Sequence, residues 1–344
     1  DIYGNGNTFI ASNPNRIIEF GFDDEINFNA EGEQIVRINT AEDLRDAINN
    51  GAANIILEGD NAIIVDEPVS IPEGVTTTLD LNGKTITGGK QTDPTKSIYA
   101  IENRGTLTLK NGTINSRGVG NYGTLIIEDG VYNAIDTNGG SAIWNYTGSN
   151  VTINGGTFTG AQADTAPAAS TMYVASGATA VVNGGTFEND ADLTYAIISS
   201  GDLTVNDATV IGEHGAIANE AGTLTINGGY YEVTGSSTDH VIYAPNGGVT
   251  INNGTFNLSQ TNASSIGSTI IDGTAVVNGG TFDSVDGAFA YDGQDGLVVY
   301  GGTFKNKAIT VYGGDFAQFV ADGYSVVDNG DDTYTVLAGA TKVN

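Results

Sequence analysis

The 344-residue chain contains no cysteine, which excludes disulfides, thiolate metal sites and a cysteine nucleophile. No apolar run approaches the ~20 residues that a membrane-spanning helix needs. Lysine and arginine number 12 against 41 acidic residues, a formal charge of −29. A field of that sign repels nucleic acid and anionic lipid, so neither is expected as a partner. The cations are also unevenly placed: residues 118–304, 187 consecutive positions, hold neither lysine nor arginine. Proline is scarce, at 6, while glycine reaches 49. Bulky apolar residues recur on schedule between the glycines, which fits a turn-dense folded chain and not a disordered one. The chain opens on Asp1 and not on methionine, which fits a removed leader and makes export an expectation.

What the chain does have is repetition. "GTLTINGGYYEV" at Gly222 returns as "GTLTLKNGTIN" at Gly105, "SNVTINGGTFT" at Ser149, "ATAVVNGGTFE" at Ala178 and "GTAVVNGGTFD" at Gly273. Eleven copies can be anchored, at Leu79, Leu107, Leu125, Val151, Ala180, Leu203, Leu224, Val249, Ala275, Leu297 and Ile309. Around each anchor the pattern alternates with the period of a strand. Four positions on, every copy carries Gly, Asn or Asp, and the next position is Gly in nine of the eleven. Those residue types tolerate a left-handed backbone, so the four-on column is expected to be a recurring turn.

Seven positions after the anchor stand Ile86, Ile114, Tyr132, Phe158, Phe187, Val210, Tyr231, Phe256, Phe282, Phe304 and Phe316. All are bulky and apolar. Segments such as "YAIEN" from Tyr99 and "SAIWNY" from Ser141 supply a further apolar stretch before most copies. Each copy thus offers about three short strands that cannot bury their apolar side alone, so copies must stack. Parallel stacking sets like columns above one another, ~4.8 Å apart. The seven-on column, with Phe158, Phe187, Tyr231, Phe256, Phe282, Phe304 and Phe316, is then a buried core ladder. The fold class expected is all-β: a right-handed parallel β-helix of about ten coils, since unequal intervals of 18 to 29 residues disfavour a uniform hexapeptide helix, and the last interval, 12, reads as the start of the C-terminal cap.

"TTLDLNGKTITGG" at Thr77, followed by repeated "TINGGTF" units, resembles the pectin-lyase-like right-handed β-helices of secreted bacterial proteins and phage appendages. The closing "GGDFAQFVADGYSVVDNGDDTYTV" from Gly313 is similar to the end segment of many such repeat proteins. The resemblance covers roughly residues 35–337. It implies an extracellular place, on a cell or virion surface, but no particular activity.

Both raw ends of a solenoid need covering. Four regions are therefore expected: an N-terminal arm at 1–34, a cap and first coil at 35–75, repeats at 76–312 and a C-terminal cap at 313–344. Thr40 with Asp43 reads as a helix start, Leu44, Ala47 and Ile48 as its apolar face, and Gly51 as its end. "YSVVDNGDDTYTVL" reads as a hairpin turning at 329–332. The arm lies outside the repeat yet carries Phe9, Ile10, Ile17, Ile18, Phe20, Phe22, Ile26 and Phe28. It is expected to dock by strand addition, on a neighbouring copy or back on its own solenoid. A head-to-tail homopolymer follows from the first alternative.

The enzymes of the resembled family set the test for catalysis. Pectate lyases of this fold pair calcium-binding carboxylates with a basic Arg or Lys, which 118–304 lacks. Polygalacturonase-like enzymes carry Asp-Asp within the coils, Gly-His-Gly and Arg-x-Lys. Here Asp-Asp occurs only at Asp23–Asp24 and Asp331–Asp332, His214 follows Glu213 in "GEHGA", and no Arg-x-Lys exists. Asp190 with Asp192, or Glu213 with Glu220, offers a generic carboxylate pair, but 41 acids supply such pairs by chance. No catalytic residue and no cofactor is therefore expected. Asp328, Asp331 and Asp332 are the nearest approach to a calcium turn and match no calcium-loop pattern.

Outward threonines at Thr108, Thr152, Thr204, Thr225, Thr250 and Thr310 raise ice binding, but Ile126, Val181, Val276 and Val298 interrupt that column. Trp144, Tyr146, Tyr173 and Tyr243 lie near one set of turns and raise glycan binding. The expectation is a non-catalytic extracellular structural protein that assembles with copies of itself, with a polysaccharide-degrading enzyme or a glycan-binding adhesin as the alternatives.

Overall fold

The computed structural model describes residues 27–28, 34–59, 62–88, 98–135, 140–161, 170–191, 194–235, 240–258, 268–271, 274–284, 288–289, 296–305 and 316–339. They form a parallel β-solenoid. Two thirteen-stranded sheets and one nine-stranded sheet run its length. Each pass contributes one strand to the third sheet, one to the first and one to the second, as in Ile143–Asn145, Asn150–Ile153 and Thr157–Thr159. Nine strands stack in the third sheet, and over the described residues the solenoid makes about eight turns, where about ten coils were expected. The shortfall arises because the copies at both ends give strands to only some of the sheets.

The apolar columns close the core. Val151 pairs with Ala180, Ala180 with Leu203, Leu203 with Leu224, and so on to Leu297. The copy at Leu79 departs from this register. Leu79 pairs with Leu109, and Thr77 takes the place opposite Leu107. Ile86 nevertheless pairs with Ile114. The first copy therefore needs two more residues in its turn, and it buries both Leu79 and Leu81. Thr77 sits in an apolar column, and its buried hydroxyl has no partner.

The left-handed turn position also differs from expectation. It falls five residues after the anchor, at Gly130, Gly156, Gly185, Gly229, Gly254, Gly280 and Gly302, with φ between 101° and 131°. Of the four-on column among the described residues, only Gly83 and Asn111 have positive φ. The reason is crowding: a Cβ on Gly156 would meet the Gly130 carbonyl oxygen of the coil before it at 2.9 Å.

The seven-on column is interior, in two stacks. Tyr132, Phe158 and Phe187 lie parallel with centroids 5.0 and 4.6 Å apart. Val210 then interrupts. Tyr231, Phe256, Phe282 and Phe304 resume at 5.0, 4.8 and 4.8 Å. Phe316 does not continue the stack. It lies in the short 3-10 turn Phe316–Gln318 and meets Phe304 edge-on at 4.9 Å.

Both ends are closed. Helix Ala41–Asn49 starts on a reciprocal Thr40–Asp43 capping box and buries Leu44, Ala47 and Ile48. At the other end Tyr334–Ala338 pairs antiparallel with Gly302–Phe304 and with Tyr324–Asp328, reversing the sheet direction. The strand Asn27–Phe28 pairs antiparallel with the chain's own Gln34–Ile38. Phe28 thus belongs to a strand on its own solenoid. Phe9, Ile10, Ile17, Ile18, Phe20, Phe22 and Ile26 lie outside the described residues, as does Ile309.

Truncating a fully buried ring leaves a cavity that stacked neighbours cannot fill. Phe256→Ala should lower unfolding stability by ~3–5 kcal/mol in denaturant titration. A loss within experimental error would contradict the interior stack.

Candidate functional site

The third sheet bears the densest aromatic group on the outside of the solenoid. Its outward register runs from Glu102 through Gly120, Trp144 and Tyr173 to Ile198. Gly120 has a packing role here: a Cβ would stand 2.9 Å from Cδ2 of Tyr99, whose ring lies over it. One residue after the strands, Arg104, Tyr122 and Tyr146 form a second row. The Arg104 guanidinium lies over the Tyr122 ring at 4.3 Å, and Tyr122 stacks on Tyr146 at 4.1 Å. Trp144 joins the rows, 5.9 Å from Tyr146 and 4.5 Å from Tyr173. The Tyr99 and Tyr146 hydroxyls share a hydrogen bond of 2.8 Å.

Tyr99 is buried, whereas Tyr122, Trp144, Tyr146 and Tyr173 are half-buried. Arg117 lies 5.4 Å from the Tyr99 centroid, and its buried Nε has no hydrogen-bond partner. Two arginines and five rings thus share one face, where the long cation-free stretch begins. Flat rings beside hydrogen-bonding hydroxyls and guanidinium groups suit a ring-shaped polar ligand. Tyr243, expected in the same group, stands in the same outward column three coils beyond Tyr173, after Ile198 and Ala218, and packs against Tyr195 at 6.0 Å. Tyr99, Tyr122 and both arginines were not singled out from sequence. The signal was present as aromatic or cationic residues just outside the third-sheet strands.

The catalytic alternatives fare differently. His214 stands edge-on to Tyr195 at 5.1 Å, and Glu220 accepts a hydrogen bond from the Ser200 hydroxyl at 3.1 Å. Asp192 lies outside the described residues. Asp328 accepts from the Gly330 amide at 2.9 Å, and Asp331 accepts from the Thr333 amide and hydroxyl. Those bonds hold the hairpin turn, and Thr333 keeps the Asp331 carboxyl below the usual carboxylate range. Among the described residues no group of three or more His, Cys, Asp or Glu could hold a metal ion.

Two amide ladders accompany the stack. Inside, Asn103 donates to Asn121 at 2.8 Å and Asn121 to Asn145 at 2.7 Å. Outside, at the turn between the first and second sheets, Asn278 donates to Asn252, Asn252 to Asn227, Asn227 to Asn206, Asn206 to Asn183 and Asn183 to Asn154, all at 2.7–2.8 Å. Asn154 ends the series on the Glu128 carboxylate at 2.9 Å. The outer column sits three residues after the anchor and was legible as the repeated Asn of "NGG".

No family model, no curated protein and no solved structure matches the chain.

Burial is the first cause raising the Tyr99, Tyr122 and Tyr146 hydroxyls above their ordinary value near 10. The core rings Tyr132 and Tyr231 are raised for the same reason, with Asp129 and Asp207 adding to it. A raised native pKa means the folded state holds the proton more tightly than the unfolded one. The associated stability is complete below about pH 10 and is lost as pH climbs toward the native values. Stability measured across the alkaline range should be level below about pH 10 and fall above it. A profile that stays level through tyrosine ionisation would contradict this.

Proposed function

We propose that the chain is a non-catalytic structural protein of an extracellular surface, a stiff rod that joins copies of itself. The observation that carries the reading is coil-to-coil continuity: three sheets, an aromatic stack and two amide ladders run from rung to rung. The ladder asparagines and most of the core rings are engaged with their own kind one rung away. Such a body resists bending and local opening, because every element is buttressed on both sides. Placement outside the cell rests on the family resemblance, and assembly rests on the apolar content of the arm. Electron microscopy of the native particle tests the reading. Copies should join, and a chain lacking residues 1–26 should remain folded and monomeric. Unchanged assembly after that deletion would sink the arm's role.

The aromatic face favours a second reading, in which the rod also holds a glycan. Trp144→Ala and Tyr173→Ala should then each weaken retention on a glycan array by about tenfold, the equivalent of losing one aromatic contact, while leaving the fold intact. Incubation with pectin, alginate or capsule should release no reducing or unsaturated ends under either reading. Their release above a heat-inactivated control would overturn the non-catalytic proposal.

A further inference from the structure

We infer that the outer asparagine ladder controls a covalent modification of the protein, succinimide-mediated deamidation, and that its open end at Asn278–Gly279 is where modification begins. Four of the six rungs, Asn154, Asn183, Asn227 and Asn278, precede glycine. Glycine has no Cβ to shield its backbone nitrogen, so this pairing is the most reactive for ring closure. The glycine nitrogen loses its proton to solvent base and attacks Cγ of the asparagine. A C–N bond forms, the Cγ–Nδ2 bond breaks and ammonia leaves. Water then opens the ring at either carbonyl, giving an aspartyl or isoaspartyl residue. No oxidant, reductant or cofactor is needed.

The four sites form an internal comparison. All lie at the same turn of the repeat, each is followed by glycine, and all four asparagines are exposed. Each backbone amide donates to the preceding coil: Asn154 to Ile127, Asn183 to Ile153, Asn227 to Val205 and Asn278 to Ile251, all at 2.7–2.8 Å. Local backbone, neighbour and solvent access are therefore matched. The side-chain bonds are not. Asn183 and Asn227 each donate one ladder bond and accept another. Asn154 accepts from Asn183 and donates to the Glu128 carboxylate. Asn278 donates to Asn252 but accepts from none of the described residues, because Tyr300 occupies the next rung. Turning Cγ toward the glycine nitrogen breaks two bonds at the first three sites and one at Asn278.

One additional net hydrogen bond corresponds to roughly a 2–10-fold difference in the population of the reactive conformer. Asn278 should therefore deamidate about 2–10 times faster than Asn183 or Asn227. The change would then stop for a reason visible in the sequence. A carboxylate at rung 278 can no longer donate to Asn252, but Asn252 precedes Asn253 and not glycine. Asn206, which precedes Asp207, divides the ladder in the same way.

The experiment incubates the full chain at mildly alkaline pH and follows the mass increase at each site by peptide mapping. Asn278 should lead in the folded protein, and the four rates should converge in denaturant. Asn252→Ala supplies the second arm. It removes the donor to Asn227, so Asn227 becomes an end rung and its rate should rise about 2–10-fold, while the distant Asn154 rate stays unchanged. Equal rates at Asn278 and Asn183 in the folded protein would overturn the inference. So would an Asn227 rate unmoved by Asn252→Ala when circular dichroism shows the variant folded.

Discussion

Everything in this molecule depends on parallel, in-register stacking of one coil on the next. At ~4.8 Å per rung, a side chain's principal neighbour is the residue at its own position in the coils before and after. The sequence must therefore be chosen so that each residue type packs well against itself. Branched aliphatics do so in the anchor column, and aromatic rings do so by offset stacking. Asparagine does so because one amide is both donor and acceptor. A carboxylate cannot, which explains why the only acid in the outer ladder, Glu128, stands at its end.

The same constraint separates what is invariant from what is free. The turn between the first and second sheets is nearly constant, because a glycine backbone packs there against the glycine carbonyl of the preceding coil. Connections between the second and third sheets vary in length and set the unequal repeat intervals. Along the third sheet the outward positions change from coil to coil, from Glu102 and Gly120 to Trp144, Tyr173 and Ile198. That is where the aromatic face arises. A regular interior supplies rigidity, and an irregular exterior strip leaves room for recognition.

Much of this was legible in the sequence, since a column of like residues is itself the signature of stacking. The alternation around Leu224 and the phenylalanines seven positions on placed the core, and Thr40 with Asp43 placed the capping helix. The failures have physical causes. Leu79 looked like an anchor because its local pattern matches, but register is decided by pairing across coils, and there it lies opposite Leu109. Composition put the left-handed turn at the four-on column, whereas backbone crowding between coils puts it one residue later, at Gly156 and its equivalents. Trp144, Tyr146 and Tyr173 were noticed as neighbours of one set of turns. Tyr99 joins them only because Gly120 leaves space for its ring, which no single-column reading reveals.

Register is the claim on which the ladders, the core and the aromatic face all rest, and the absence of native cysteine makes it directly measurable. Thr225 pairs with Thr250, and Thr223 with Gly248, on adjacent strands of the first sheet. Thr225→Cys combined with Thr250→Cys places two thiols at matched positions within the Cα separation of ~4.4–6.8 Å that a disulfide spans. Mild oxidation should close that pair rapidly, and the offset pair Thr225→Cys with Gly248→Cys should close far more slowly. Faster closure of the offset pair would mean that the coils are stacked in a different register.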